Sequence, residues 1–263
     1  MSGVEAFILG LIQGVTEFLP VSSSGHLVVL QSALGAEQKG ILFEIAVHVA
    51  TLASVLIFYR QRVGVLVAGT FRRDPEAVAY VIKLAVATIP AVLLVLVAGD
   101  FLAAQFESPR VAGIGFLLTT SILWSTRWTI ANARLATPSW TAALLIGCAQ
   151  AIAILPGVSR SGSTVAAALA LGVAPAAAAE FSFLMSVFAI GGAAVRAVSE
   201  LSFTAPELIA PLVVAGGTAL VSGVAAIWLF IRLLKTRALH CFAYYTGALG
   251  VAVLVWQILA GKL

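Results

Sequence analysis

The stretch Gln13-Gly14-Val15-Thr16-Glu17-Phe18-Leu19-Pro20-Val21-Ser22-Ser23-Ser24-Gly25-His26 sets a carboxylate, three consecutive hydroxyls and an imidazole in a strongly apolar chain. Ionisable groups at membrane depth are expensive, so such a cluster marks a functional site by default. A helix over 3–18 is expected to stop at Leu19-Pro20, because proline disfavours helix in the residue before it and has no amide to donate. The apolar piece that follows, Gly25 to Leu34, is ten residues long, too short to cross roughly 30 Å of hydrocarbon. Helix, polar break and half-helix together predict a re-entrant hairpin, since non-helical backbone at that depth must line a cavity or lie within protein.

The 263 residues are 61% hydrophobic and 10% charged, with a mean hydropathy of +1.09. Soluble domains carry about one charged residue in four, so a single membrane domain over 1–263 is expected. Apolar runs of about 20 residues suit helices, not the alternating strands of a membrane barrel. The formal charge of +4 is spread over short loops, which fits a lipid bilayer and no nucleic-acid partner. Cys148 and Cys241 sit in separate apolar runs and are expected to pack. The start, Met1 to Glu5, lacks the basic flank of a signal peptide and is read as mature sequence.

Six spans are predicted, over 41–59, 77–98, 111–128, 175–195, 206–231 and 239–259. A second hairpin runs over 139–154, breaks at Leu155-Pro156-Gly157 and continues to Leu171-Gly172. A shift of 137 positions pairs Gly10 with Gly147, Gln13 with Gln150, Ser22 with Ser159, Ser24 with Ser161 and Gly25 with Gly162. The same shift pairs Ala33-Leu34-Gly35 with Ala170-Leu171-Gly172. Such self-similarity marks an internal repeat, here roughly 1–136 and 137–263. Three spans per half invert the second copy. The fold class is therefore an all-α integral membrane protein with six transmembrane helices and two re-entrant hairpins in an inverted-topology repeat.

Arg60, Arg62, Arg72, Arg73, Arg127, Arg134, Arg232, Lys235 and Arg237 fall in one set of loops. Asp100, Glu107, Glu200 and Glu207 dominate the other, beside Arg110 and Arg196. Positive-inside bias puts the basic set in the cytoplasm. The first hairpin then enters from outside and the second from the cytoplasm, so their serine-rich tips meet near the midplane.

Gln13 and Glu17 are four apart and share one helix face. Glu17 is suited to act as a base, an acid or one ligand of a hard cation, or to hold the turn through loop amides. Ser22, Ser23, Ser24 and Gly25 feed a helix N-terminus, where amides and hydroxyls bind anions or cap the helix. His26 is a candidate acid/base or phosphate donor, or a structural histidine on a carbonyl. In the second tip, Arg160 lies between Ser159 and Ser161 ahead of Gly162. Its fork of donors suits a phosphate, and an ion pair with Glu17 is the structural alternative. Glu44, His48, Thr51, Glu180 and Ser182 follow the hairpins and read either as cavity lining or as helix–helix contacts.

The runs Gln13–His26 and Pro156-Gly157-Val158-Ser159-Arg160-Ser161-Gly162 resemble the two signature motifs of the bacterial undecaprenyl-diphosphatase family. The resemblance extends over nearly the whole chain and includes the Phe181-Ser182-Phe183-Leu184 run. It implies hydrolysis of undecaprenyl diphosphate and related polyprenyl diphosphates to the monophosphate carrier of cell-wall precursors, an activity tied to bacitracin resistance. It places functional positions on Gln13, Glu17, Ser22, Ser23, His26, Ser159 and Arg160. It further implies a bacterial plasma-membrane protein with its site open to the periplasmic side, able to form a homodimer. The resemblance implies a divalent cation, Mg2+ or Ca2+, though only Glu17 among these positions is a carboxylate. Gln13 stands where many members have a second glutamate, and Ser186 where a proline is common.

On this expectation Arg160 and Ser159, with Gln13, Ser24, Gly25, Ser161 and Gly162, hold the diphosphate. Ser22, Ser23 or a water attacks, with Ser23 favoured, and Glu17 or His26 handles the proton. A transporter or lipid-phosphate flippase is the alternative, because secondary transporters use inverted repeats with broken helices.

Overall fold

The computed structural model describes residues 2–34, 41–199 and 209–261. Gly35, Glu200 and Glu207 lie outside the described residues, as do the side chains of Leu34, Glu44 and Arg196. Helix α1 (Gly3–Phe18) begins at a capping box in which the Ser2 hydroxyl accepts from the Glu5 amide and the Glu5 carboxylate from the Ser2 amide. It ends at Leu19, extended at φ −68° and ψ 146° as a residue before proline should be. Ser22 takes the left-handed conformation, φ 65°, and α2 (Ser23–Leu34) follows. The second hairpin has the same plan. Helix α7 (Trp140–Ile152) is capped by Ser139, Gly157 turns the chain at φ 86°, and Ser159 caps α8 (Arg160–Ala170).

Helix α3 (Ile41–Phe58) meets α4 (Arg60–Phe71) at an 80° bend about Tyr59. Helix α4 departs from the sequence expectation, which left 60–73 as a loop. Of its apolar positions Leu66 is buried, but Phe71 is 85% and Val65 61% exposed, so no continuous buried stripe announces it. Arg62 ties α4 down instead: its Nε donates to Glu180 Oε1 at 2.8 Å, an oxygen that Tyr80 also reaches at 3.1 Å. Glu180 is thereby a helix–helix contact.

Helix α5 (Pro75–Gln105) starts with Asp74 as cap and proline in its first turn. Ala98, where the predicted span ends, is a kink (φ −129°, ψ 25°), and helix resumes beyond it. Then come α6 (Pro109–Thr129), α9 (Pro175–Ser199), α10 (Ile209–Lys235), a 3-10 turn (Leu239–Cys241) and α11 (Phe242–Leu259). Ser186 lies within α9 and donates to the Phe183 carbonyl at 2.6 Å, so the helix continues where a proline would interrupt it.

Among the described residues, α5, α10, the 239–259 segment and residues 175–192 of α9 are long and apolar enough to cross a membrane. The bent α3–α4 pair makes a fifth if it counts as one span. The chain is an all-helical, multi-pass membrane protein. Helix α6 has the length of a span but carries Thr119, Thr120, Ser121, Ser125, Thr126 and Arg127, which dilute its apolar character.

Helix α1 packs chiefly on α10, α7 on α5, and α6 on α11. Two glycines that pair under the 137-residue shift make these contacts close. A Cβ at Gly10 would lie 2.2 Å from the Ala215 carbonyl oxygen, and one at Gly147 would lie 2.3 Å from that of Ala87. Small residues let membrane helices approach in this way. The main core joins Phe18, Phe181, Phe183 and Phe230, with edge-to-face contacts at 5.5 Å (Phe18–Phe183) and 5.3 Å (Phe183–Phe230). Both cysteines are exposed, Cys148 on α7 and Cys241 in the 3-10 turn, against the expectation that they pack.

Candidate active site

Glu17 sits one residue before the end of α1, and four elements converge on it. Its Oε1 accepts from Arg160 Nη2 at the start of α8. Its Oε2 accepts from Ser23 Oγ at 2.9 Å and from Gln13 Nε2 at 3.2 Å. His48 Nε2, on α3, is 4.0 Å from the same oxygen. The carboxylate and guanidinium are 8% and 16% exposed, so the pair is shielded from water, and breaking it costs far more than losing a surface bridge.

The site is not saturated. Arg160 Nη1 and Gln13 Oε1 are both buried without a hydrogen-bond partner, as is Ser163 Oγ. Buried polar atoms without partners are rare and need an explanation. Here one donor and one acceptor flank the single carboxylate, as a site awaiting a charged ligand would present them. Gln150, the repeat partner of Gln13, is likewise buried with neither amide atom partnered.

The two tips are in contact. A Cβ at Gly25 would lie 2.7 Å from the Gly157 Cα, and one at Gly162 would lie 3.2 Å from the Pro20 Cβ. Ser161 Oγ donates to the Leu19 carbonyl at 3.3 Å. The Gly25 amide donates to Ser22 Oγ (3.3 Å) and the Gly162 amide to Ser159 Oγ (3.1 Å). Those two amides therefore serve the helix caps, while Ser161 and Gly162 serve the joint between tips. Ser159 Oγ and Ser161 Oγ are 3.3 Å apart, as Ser22 Oγ and Ser24 Oγ are at 3.4 Å.

His26 Nδ1 lies 2.7 Å from the Ser22 carbonyl, and Nε2 lies 2.7 Å from the Tyr245 hydroxyl. Thr119 on α6 donates to the Gly157 carbonyl at 2.8 Å and accepts from the Ser159 amide at 2.9 Å, pinning the second tip. Thr164 and Ser182, behind Arg160, join hydroxyls at 2.6 Å. Thr119 and Tyr245 were not singled out by motif reasoning. A hydroxyl on a span carries no signal of its own, and their partners are 38 to 219 positions away in sequence.

The family described as bacitracin resistance protein BacA matches residues 6–252. A Carboxydothermus hydrogenoformans protein named undecaprenyl-diphosphatase is 38% identical over the full length of both chains. Proteins of the same name from Desulfatibacillum aliphaticivorans (36% identical) and Alcanivorax borkumensis (38% identical) each cover 97% of this chain and 99% of their own. The match runs through both hairpins and the spans that hold them, and the chain belongs to the bacitracin resistance protein BacA family.

Proposed function

We propose that this protein hydrolyses undecaprenyl diphosphate to undecaprenyl phosphate and inorganic phosphate, recycling the lipid carrier of cell-wall synthesis. The observation that carries the mechanism is Glu17 bridging Ser23 on one hairpin and Arg160 on the other. A hydroxyl hydrogen-bonded to a carboxylate is the nucleophile–base pair that phosphoryl or acyl transfer requires. The arginine beside it supplies charge where the phosphoryl group would sit.

In the resting site Arg160 is held by Glu17. An incoming diphosphate competes for the guanidinium, whose unpartnered Nη1 gives it a first point of attachment. Glu17 is then free to take the Ser23 proton as Ser23 Oγ attacks the terminal phosphorus. The bridging P–O bond breaks, undecaprenyl phosphate leaves with the electron pair, and Glu17 returns the proton to it. Water next attacks the phosphoserine and gives a proton to Glu17; the Ser23 Oγ–P bond breaks, Glu17 passes that proton to Ser23 Oγ, and inorganic phosphate departs. Ser22 is less suited to attack, since its Oγ already accepts from the Gly25 amide and its backbone is held in the left-handed region.

A divalent cation fits one corner of this site. Gln13 Oε1 is a buried, unpartnered oxygen next to Glu17, and Mg2+ commonly takes one or two such protein oxygens together with substrate phosphates. Gln13 and Glu17 would hold it, and when bound it would neutralise diphosphate charge.

The apolar tail has a place as well. A groove of about 610 Å³ between α1 and α10 is lined by Phe7, Leu11, Val15, Gly217 and Val221, and Leu19 at the hairpin tip closes one end. The six-span inverted repeat is part of the same proposal. It is supported by α1 lying on α10 as α7 lies on α5, through Gly10 and Gly147. The orientation of the loops rests on their basic residues, and a plasma-membrane site open outward rests on the family resemblance.

The test is phosphate release from farnesyl diphosphate and undecaprenyl diphosphate by purified protein in detergent. No release from either would sink the hydrolase and favour a transport role.

A further inference from the structure

Outside the two motifs, one side chain reaches into the site from near the other end of the chain. Tyr245 on α11 lies with its ring parallel to the His26 imidazole, at a centroid distance of 5.8 Å and an interplanar angle of 5°. Its hydroxyl is 2.7 Å from His26 Nε2. Phe116 on α6 meets the same imidazole edge to face at 5.3 Å. The ring is thus fixed by two aromatics and two hydrogen bonds.

The hydrogen bonds settle which nitrogen of the neutral ring holds the proton. The Ser22 carbonyl, 2.7 Å from Nδ1, can only accept. Nδ1 therefore carries the hydrogen, and Nε2 offers its lone pair to the Tyr245 hydroxyl. The partner of one ring nitrogen decides the protonation of the other. The chain then continues through the backbone. Ser22, whose carbonyl receives Nδ1–H, is the left-handed residue of the tip (φ 65°). That conformation is strained for a non-glycine residue and persists only where its surroundings hold it. The next residue, Ser23, donates to Glu17 at 2.9 Å.

We propose that Tyr245 is a positioning residue: through His26 it holds the Ser22 turn, and so keeps Ser23 on Glu17. The proposal rests on the hydrolase reading above. It also alters what His26 is expected to do, since in this tautomer Nε2 is an acceptor and not a phosphate donor.

The experiment combines 15N spectra of histidine-labelled protein in detergent, assigned with His26→Gln, and phosphate release from farnesyl diphosphate. The unaltered protein should show His26 protonated at Nδ1 and bare at Nε2. Tyr245→Phe keeps the ring and removes the hydroxyl. It should leave Nδ1 protonated, since the Ser22 carbonyl still takes that hydrogen, shift the 15N resonance of the bare Nε2, and lower kcat about tenfold, the scale of one lost hydrogen bond, with KM little changed. Thr246→Val, which breaks the 2.9 Å Thr120–Thr246 contact one residue along α11, should leave that resonance alone. Nε2–H as the main form of the unaltered protein overturns the proposal without any variant. So does Tyr245→Phe that changes only the Nε2 resonance or only the rate. A protein that shows the expected tautomer yet releases no phosphate overturns the hydrolase reading, and the role of Tyr245 in hydrolysis with it.

Discussion

Glu17 holds two partners that a diphosphate would compete for, and this makes single substitutions informative. Glu17→Gln keeps the shape and removes the base. It should lower kcat for phosphate release by about 10²–10⁴-fold, the usual weight of general acid–base catalysis. Arg160→Met removes the cation and leaves a buried carboxylate alone, which should cost about 3–5 kcal/mol of stability. Adding Glu17→Gln to Arg160→Met should recover much of that loss in thermal unfolding, because no uncompensated charge remains. Strictly additive losses would show that the pair is not coupled. Glu17, Ser23 and Arg160 were legible in the sequence because charge and clustered hydroxyls are rare in a chain this apolar. The pairing itself was legible only as an alternative, since Arg160 suited a phosphate equally well. Which serine meets Glu17 was not, because it depends on the left-handed turn at Ser22.

The hairpin tips depend on elements that neither motif contains. Thr119 on α6 serves both the Gly157 carbonyl and the Ser159 amide. Thr119→Val preserves shape and strips both partners, so about 1–3 kcal/mol of stability should be lost in a detergent melt. Activity should fall with it, because Ser159 caps the helix that carries Arg160. At the other end of each hairpin, Gly10 and Gly147 leave no room for a methyl group. Gly10→Ala should cost about 1–3 kcal/mol by pushing α1 off α10, and Gly147→Ala should do the same between α7 and α5. A pair of neutral outcomes would remove the close approach as a reason for those glycines. The helix ends at Leu19 and Ser139 were readable from proline and serine, whereas the starts of α5 and α6 lie two residues before the predicted ones, at Pro75 and Pro109. Helix α4 was not readable, since the Arg62–Glu180–Tyr80 contact that holds it joins residues 100 or more positions apart.

At the scale of the whole molecule, the exchange of hairpins between halves links topology to chemistry. Each half places its hairpin against a span of the other, α1 on α10 and α7 on α5. If the second copy is inverted, the loop after α5 and its repeat counterpart after α10 lie on opposite faces of the membrane. Single cysteines test this in a background with Cys148 and Cys241, both exposed, replaced by serine. Arg73→Cys before α5 and Thr236→Cys before the 239–259 segment should react with a membrane-impermeant maleimide only after cells are opened. Glu107→Cys, after α5, should react in intact cells. Protection of Arg73→Cys and Thr236→Cys together with labelling of Glu107→Cys is what an inverted pair requires. Labelling of Thr236→Cys from outside would make the second half parallel to the first. The tips would then enter from one side, and a site joining Glu17 to Arg160 could not form as these helices build it. The groove along α1 extends the same logic to the substrate. Val221→Trp fills its wall and should raise KM for undecaprenyl diphosphate while sparing farnesyl diphosphate, whose shorter tail leaves most of the groove unused. An equal rise for both would place the tail elsewhere.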